Sequence, residues 1–188
     1  MRSPVAELLS DLATALDAAD IDWYLFGAQA AILHGVARLT ADVDVTVRLP
    51  GAMSNELLVS LLEQHDFQPR FRDRAFVGRT RVMPFTHAAT AVPVDVVLAG
   101  PGIEYRFFER VETRDVEGVR VRVVSAEDLV VMKVLAGRPK DVDDVRAIVA
   151  AQRDRLDVHY IDDTLTLLEA ALAQSDLRPL FRHLLERS

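Results

Sequence analysis

The sequence predicts a fold of mixed helices and strands, α+β or α/β in class. Three observations predict it. A short apolar run, Trp23 to Phe26, stops at Gly27, and a small, helix-prone segment from Ala28 to His34 follows and closes on Gly35. Next comes an alternating run, Asp42-Val43-Asp44-Val45-Thr46-Val47, the period-two signature of a strand with one polar and one apolar face. Towards the C-terminus the apolar residues change to helical spacing, with Leu165, Leu168 and Leu172 and then Leu177, Phe181 and Leu184.

Each remaining element has its own signal. Ser3-Pro4 opens a helix with a cap residue and a proline in the first turn, and Val5, Leu8, Leu9, Leu12 and Leu16 give it one packing face. Pro50-Gly51 breaks the chain after the Asp-rich strand, and an amphipathic helix is expected from about Asn55 to Gln64. Val92 to Leu98 is apolar on both faces except for Asp95, so it reads as a buried strand, with Pro93 tolerated near its start. Ile103 to Glu109 is a short helix or a loop. Val111 to Val116 and Val119 to Val124 form a hairpin turning at Glu117-Gly118. Ser125-Ala126-Glu127-Asp128 starts a helix that ends near Gly137, and Pro139 forces a break before the next one. The expected organisation is a core over 1–124 and a helical region over 125–188.

Composition bounds the function. The 188 residues suffice for one domain, or a small domain plus an appended bundle, and half of them are hydrophobic. The absence of cysteine excludes disulfides and thiolate metal sites and fits a reducing cytoplasm. Met1-Arg2-Ser3-Pro4 lacks a signal-type apolar region, and no apolar run approaches the roughly 20 residues of a membrane span. A cytoplasmic protein without a membrane partner is therefore expected. The net charge of −7 argues against a general affinity for nucleic acid, though a local patch could serve. The five histidines show no metal-ligand spacing, and the sequence has no G-x-x-x-x-G-K-[ST] loop and no G-x-S-x-G.

The chemistry-bearing candidates are carboxylates. Asp42 and Asp44 sit two apart, so on a strand both point to one side with Cα atoms roughly 6.6 Å apart. Two carboxylates so spaced can converge on a metal pair about 3.5–4 Å apart. The competing reading is a solvated strand face, since the same pattern recurs at Asp20/Asp22, Asp115/Glu117 and Asp141/Asp143. Only Asp42/Asp44, however, lies on a β-branched strand that follows a strand–Gly–helix unit. Asp95 is costly in an apolar strand unless paired or metal-bound. It is the natural third carboxylate, unless it pairs with an arginine and so leaves the site. Gly27 permits a sharp turn and exposes backbone N–H groups that suit phosphate. Between Phe67 and His87, Arg70, Arg72, Arg74, Arg79 and Arg81 face a single acid, Asp73. This segment is either a solvated edge strand or a basic wall for triphosphate or an RNA backbone.

Phe26-Gly27-Ala28, a thirteen-residue spacer and Asp42-Val43-Asp44-Val45 resemble the first motif of the nucleotidyltransferase superfamily, which has the DNA-polymerase-β-like fold. Ala28 stands where that family has Gly or Ser, so a backbone N–H is kept and a hydroxyl contact is lost. A second stretch is similar to the AbiEii-type toxin branch: Lys133 on its helix, then Gly137-Arg138-Pro139-Lys140-Asp141. The approach Arg38-x-Thr40-x-Asp42 is similar to that branch too. The resemblance implies a mixed sheet flanked by helices, with transfer of a nucleoside monophosphate from an NTP to an acceptor. It implies two Mg²⁺ ions on Asp42, Asp44 and Asp95, and nucleotide contacts from Gly27, Ala28, Arg38, Thr40, Lys133, Arg138 and Lys140. It also implies a toxin-like role with an RNA end as acceptor and an antitoxin as partner. Two alternatives stand beside it: a catalytically silent nucleotide-binding or regulatory module, and an antibiotic adenylyltransferase.

Overall fold

The computed structural model describes residues 2–51, 53–71 and 73–187, apart from the side chain of Arg74. Arg72 of the basic segment lies outside the described residues. The chain divides into two compact units, Met1–Gln29 with Thr40–Val124, and Ala30–Leu39 with Ser125–Ser188.

The first unit is built on one seven-stranded sheet. Its elements run α1 (Pro4–Ala18), β1 (Asp22–Phe26), the start of α2 (Gly27–Leu33), β2 (Val43–Arg48), α3 (Asn55–Gln64), β3 (Phe67–Pro69), α4 (Arg74–Thr80), β4 (Val82–His87), β5 (Pro93–Leu98), α5 (Ile103–Phe108), β6 (Glu112–Val116) and β7 (Val119–Val123). The strand order is β3-β4-β5-β2-β1-β7-β6. The pairings of β2 with β5 and β1 with β7 are parallel and the others antiparallel, so the sheet is mixed.

Period-two alternation decides what each sheet face does. Leu25, Val43, Val45, Val47, Val94, Val96 and Phe85 are fully or almost fully buried on one face. α1 and α3 cover that face. Trp23 Nε1 donates to Asp17 Oδ1 of α1 at 2.9 Å, and His87 Nε2 lies 3.1 Å from Asp11 Oδ2 on the same helix. The other face carries Tyr24, Phe26, Asp44, Thr46, Asp95 and Val97. α5 covers one end of it, where Phe108 meets Tyr24 edge-on at 4.8 Å and Arg48 stacks 4.8 Å over Phe108. Asp44 and Asp95 lie towards the opposite end. Val92–Leu98 is thus buried on one face and only half-buried on the Asp95 face, less enclosed than its composition suggests.

Local chemistry sets the ends of these elements. Ser3 Oγ accepts from the Ala6 amide and Ser54 Oγ from Leu57, two side-chain caps. The hairpin turns at Glu117 and Gly118, both at positive φ, as a two-residue turn requires. The basic segment is not extended as a whole. Asp73 Oδ1 accepts from the Ala75 and Phe76 amides and caps α4, so Arg74 and Arg79 sit on a helix. Among the described residues of this segment, Phe67–Pro69 and Val82–His87 are the strands.

The second unit is helical. The end of α2 and the segment to Leu39 join α6 (Ala126–Ala136), α7 (Pro139–Gln152), α8 (Val158–Leu172) and α9 (Leu177–Glu186). Ser125 caps α6 through its contact with the Asp128 amide, and Gly137 ends it in the left-handed conformation. Leu129, Val130, Val134, Val145, Ile148, Ile161, Leu165 and Phe181 are buried between the helices. Gln152 Nε2 donates to the His34 carbonyl at 3.0 Å and pins the 30–39 segment to α7.

Gly35 marks the tightest part of that docking. Its φ is +103°, and a Cβ there would stand 2.8 Å from Ala151 Cβ. Gly35→Ala combines an unfavourable backbone region with overpacking, and the expected loss is about 1–3 kcal/mol. Chemical denaturation of the variant beside the parent measures it, and an unchanged midpoint would refute the close approach.

Candidate active site

Asp44 and Asp95 are brought together by strand register. In the parallel ladder of β2 and β5, Asp44 stands directly beside Asp95. Register partners share a face, and neighbouring strands lie about 4.8 Å apart. Asp42 precedes the strand by one residue and is exposed, so it is on the approach loop rather than on β2. The Thr40 hydroxyl accepts from the Asp42 amide at 3.3 Å and turns the loop into the strand. Thr40 therefore shapes the chain at Asp42.

Burial pushes the Asp95 carboxyl above its ordinary value, Arg70 pulls it back, and the neighbouring charge of Asp42 adds to the upward shift. Asp95 is ion-paired with the Arg70 guanidinium, and the two side chains are equally half-exposed, at 39% each. Asp95 thus stands beside Asp44 in register and is also paired to an arginine, the alternative under which the sequence reading takes it out of the site. Arg70 was legible only as one of five arginines. Its specific partner follows from β3 lying two strands from β5.

Gly27 has a role the motif does not reveal. It sits at φ +68°, between β1 and α2. A Cβ at Gly27 would overlap Asp44 Oδ2 and stand 2.8 Å from its Cγ. The glycine is the clearance in which the Asp44 carboxylate lies. The turn expected to expose backbone N–H groups to phosphate instead has an acidic side chain against it. Ala28 follows in the first turn of α2, a helix of only seven residues.

The cations expected at phosphate are engaged elsewhere in the second unit. Lys133 is 5% exposed, and its Nζ lies 2.6 Å from Asp144 and 3.2 Å from Asp141. Arg38 reaches Asp144 at 2.7 Å, and Arg138 pairs with Asp141. Burial alone would raise the Asp141 carboxyl, but the hydrogen bonds and charges of Arg138 and Lys133 together hold it below its ordinary value. Lys133, Arg38 and Arg138 are thus each held by a carboxylate of α7. Two carboxylates spaced one helical turn apart on α7 need neutralising within the unit, and these three cations do it. Lys140 is exposed. The basic wall is also partly neutralised, since Arg81 makes two hydrogen bonds to Glu104.

The donor set at Asp42, Asp44 and Asp95 is carboxylate oxygen throughout, which suits a hard divalent cation such as Mg²⁺. Among the described residues no three acidic, histidine or cysteine side chains form a ready metal cage. The physical reason is visible at Asp95, which is turned onto Arg70. A cleft of about 400 Å³ lies elsewhere, between α3 residues such as Val59 and Ser60 and Met83 and Phe85 of β4. The lining includes Pro84, the register partner of Asp95, but not Asp42, Asp44 or Asp95 themselves.

A mixed sheet, a strand–Gly–helix turn and carboxylates on adjacent central strands define a nucleotidyltransferase fold. The chain belongs to the family described as "Nucleotidyltransferase of unknown function (DUF6036)", whose model matches residues 4–178. Among solved structures, it is similar to an antigenic nucleotidyltransferase-like protein from Paracoccidioides brasiliensis. The identity is 20% and the TM-score 0.62, over 97% of this chain and 92% of that one. It is similar to the antibiotic-resistance factor ANT(2'')-Ia at 16% identity and a TM-score of 0.63, over 92% and 97% of the two chains. The lincosamide antibiotic adenylyltransferase LnuA matches at 11% identity and a TM-score of 0.51, over 74% and 93%. At these identities the likeness shows the fold. No curated protein sequence gives a significant match.

Two substitutions separate site from scaffold. Lys133→Met leaves two buried carboxylates without their ammonium, with an expected loss of about 3–5 kcal/mol in stability. A melting curve measures it, and a melt like that of the parent would contradict the network. Gly27→Ala should destabilise by about 1–3 kcal/mol through its clash with Asp44. Asp44→Ala in the same chain should recover part of that loss. Strict additivity in the double-mutant cycle would show that the two residues do not touch.

Proposed function

We propose that this protein transfers a nucleoside monophosphate from an NTP to an acceptor hydroxyl, with release of pyrophosphate. The observation that carries the reading is the register pairing of Asp44 with Asp95, with the charge of Asp42 acting on the same group. Asp42 and Asp44 would hold two Mg²⁺ ions, and Asp95 would complete one of the two positions. When bound, such ions supply charge neutralisation of the triphosphate and activation of the attacking oxygen. The chain's own contribution is placement. Strand register holds two carboxylates on one face, Gly27 leaves room for one of them, and Thr40 orients the loop bearing the third. Asp95, beside Asp44 on the adjacent strand, would also take the acceptor proton.

Two acceptor classes compete. The AbiEii-type reading, with an RNA end as acceptor and an antitoxin partner, rests on the Lys133–Asp144 stretch and on the arginines of 70–81. Much of that charge is committed to internal ion pairs, with Lys133 on Asp141 and Asp144, Arg70 on Asp95 and Arg81 on Glu104. This favours a small hydroxylated molecule as acceptor, in keeping with the fold shared with two antibiotic-modifying proteins. A catalytically silent nucleotide-binding module is the reading from another class.

The test is incubation with each labelled NTP and Mg²⁺, in one arm with total RNA and in the other with a panel of hydroxylated small molecules, aminoglycosides and lincosamides included. Transfer in the small-molecule arm is expected. Asp44→Asn should lower it at least about a hundredfold, roughly 2.7 kcal/mol of transition-state stabilisation. Full activity of that variant would overturn the catalytic assignment. Nucleotide binding without transfer in either arm would establish the silent module instead.

A further inference from the structure

We propose that Arg70 is a positioning residue that holds Asp95 in the place of a divalent cation and yields it when the cation seats. The proposal rests on the reading of Asp42, Asp44 and Asp95 as metal ligands and adds to it an internal competitor.

The geometry assigns the role. The Arg70 amide donates to the Pro84 carbonyl at 2.9 Å, and Pro84 is the β4 register partner of Asp95. The Arg70 backbone is therefore fixed to β4, and its guanidinium crosses that strand to reach Asp95 on β5. Asp95 in turn stands beside Asp44. The Arg70 guanidinium thus places on Asp95, beside Asp44, positive charge that a bound cation would otherwise supply. Like charges this close repel unless a cation lies among them.

The pair is also built to exchange. Both side chains are half-exposed, so water can solvate whichever partner is released. The backbone around Arg70 need not move, because the chain on either side is anchored. β3 pairs with β4 before it, and after it Phe71 packs edge-on against Phe76 of α4, at 4.8 Å. Only the long side chain has to swing. A guanidinium displaced from a carboxylate on this face carries the fork geometry that suits phosphate oxygens. Arg70 would then pass from Asp95 to the triphosphate, linking cation and nucleotide binding.

The experiment uses the full chain without nucleotide and titrates Mn²⁺ alone, with free ion read by electron paramagnetic resonance. Arg70→Met should tighten Mn²⁺ binding at least about threefold, because a positive charge that competes for Asp95 is removed. Arg70→Lys should fall between that variant and the parent. With Mn²⁺ saturating, Arg70→Met should bind ATP more weakly than the parent. Circular dichroism and a melting curve establish that each variant is folded, and Arg70→Gln replaces Arg70→Met under the same criterion if the latter is not. Equal Mn²⁺ affinity in the parent and Arg70→Met, with binding lost in Asp44→Asn, overturns the Arg70 proposal and leaves the site reading standing. Mn²⁺ binding that survives in both Asp44→Asn and Asp95→Asn, or that is absent from the parent and from Arg70→Met alike, overturns both.

Discussion

The parallel pairing of β2 with β5 is the constraint on which the rest of the first unit depends. It joins the antiparallel strands β3-β4-β5 to the strands β2-β1-β7-β6, whose β1–β7 pairing is the other parallel one. On one side it stacks Val43, Val45 and Val47 beside Val94 and Val96, all fully buried. On the other side the same ladder sets Asp44 beside Asp95. Core and site are thus opposite faces of one register. A slip of one residue would turn carboxylates into the core and valines into water, so hydrophobic burial itself fixes the spacing of the acidic pair.

The acidic pair brings an electrostatic demand with it. Two half-buried carboxylates on adjacent strands, with a third on the loop before them, are unfavourable together unless a cation intervenes. The protein supplies a guanidinium from Arg70, just beyond the edge strand β3, two strands from β5. This accounts for a metal-suited donor set without a ready metal cage. It also gives the basic segment a local meaning: Arg70 serves Asp95 and Arg81 serves Glu104. Steric clearance is the other demand. Asp44 can lie where it does because residue 27 has no side chain, so the glycine of the turn acts on the acidic site by absence of a Cβ.

The helical unit follows the same logic with different residues. Asp141 and Asp144 lie three apart on α7 and are almost wholly buried, with Lys133, Arg38 and Arg138 around them. Lys133 contacts both carboxylates, and Arg38 and Arg138 each add a second cation to one of them. Lys133 and Arg138 take part in this arrangement, while Lys140 is exposed. Gly137 ends one helix, Pro139 starts the next, and the charges between and around them close the corner.

By itself, the sequence determined what depends on local pattern. Period-two alternation marked β2, β5 and the hairpin strands, helical spacing marked α1, α3 and the C-terminal helices, and Ser3, Ser125, Gly118 and Gly137 marked their ends. It also singled out Asp42, Asp44 and Asp95, because a carboxylate in an apolar strand is costly enough to demand a reason. Tertiary structure decided what depends on partners far apart in the chain. Whether Lys133 faces a nucleotide or Asp144, which of five arginines meets Asp95, and why residue 27 must be glycine are questions of which strands and helices become neighbours. Residues 27 and 44, 70 and 95, and 38 and 144 meet only through strand register and helix packing. No periodicity within a window of ten or twenty residues encodes such meetings, whereas the energy of a charge pair or a steric overlap is set entirely by them.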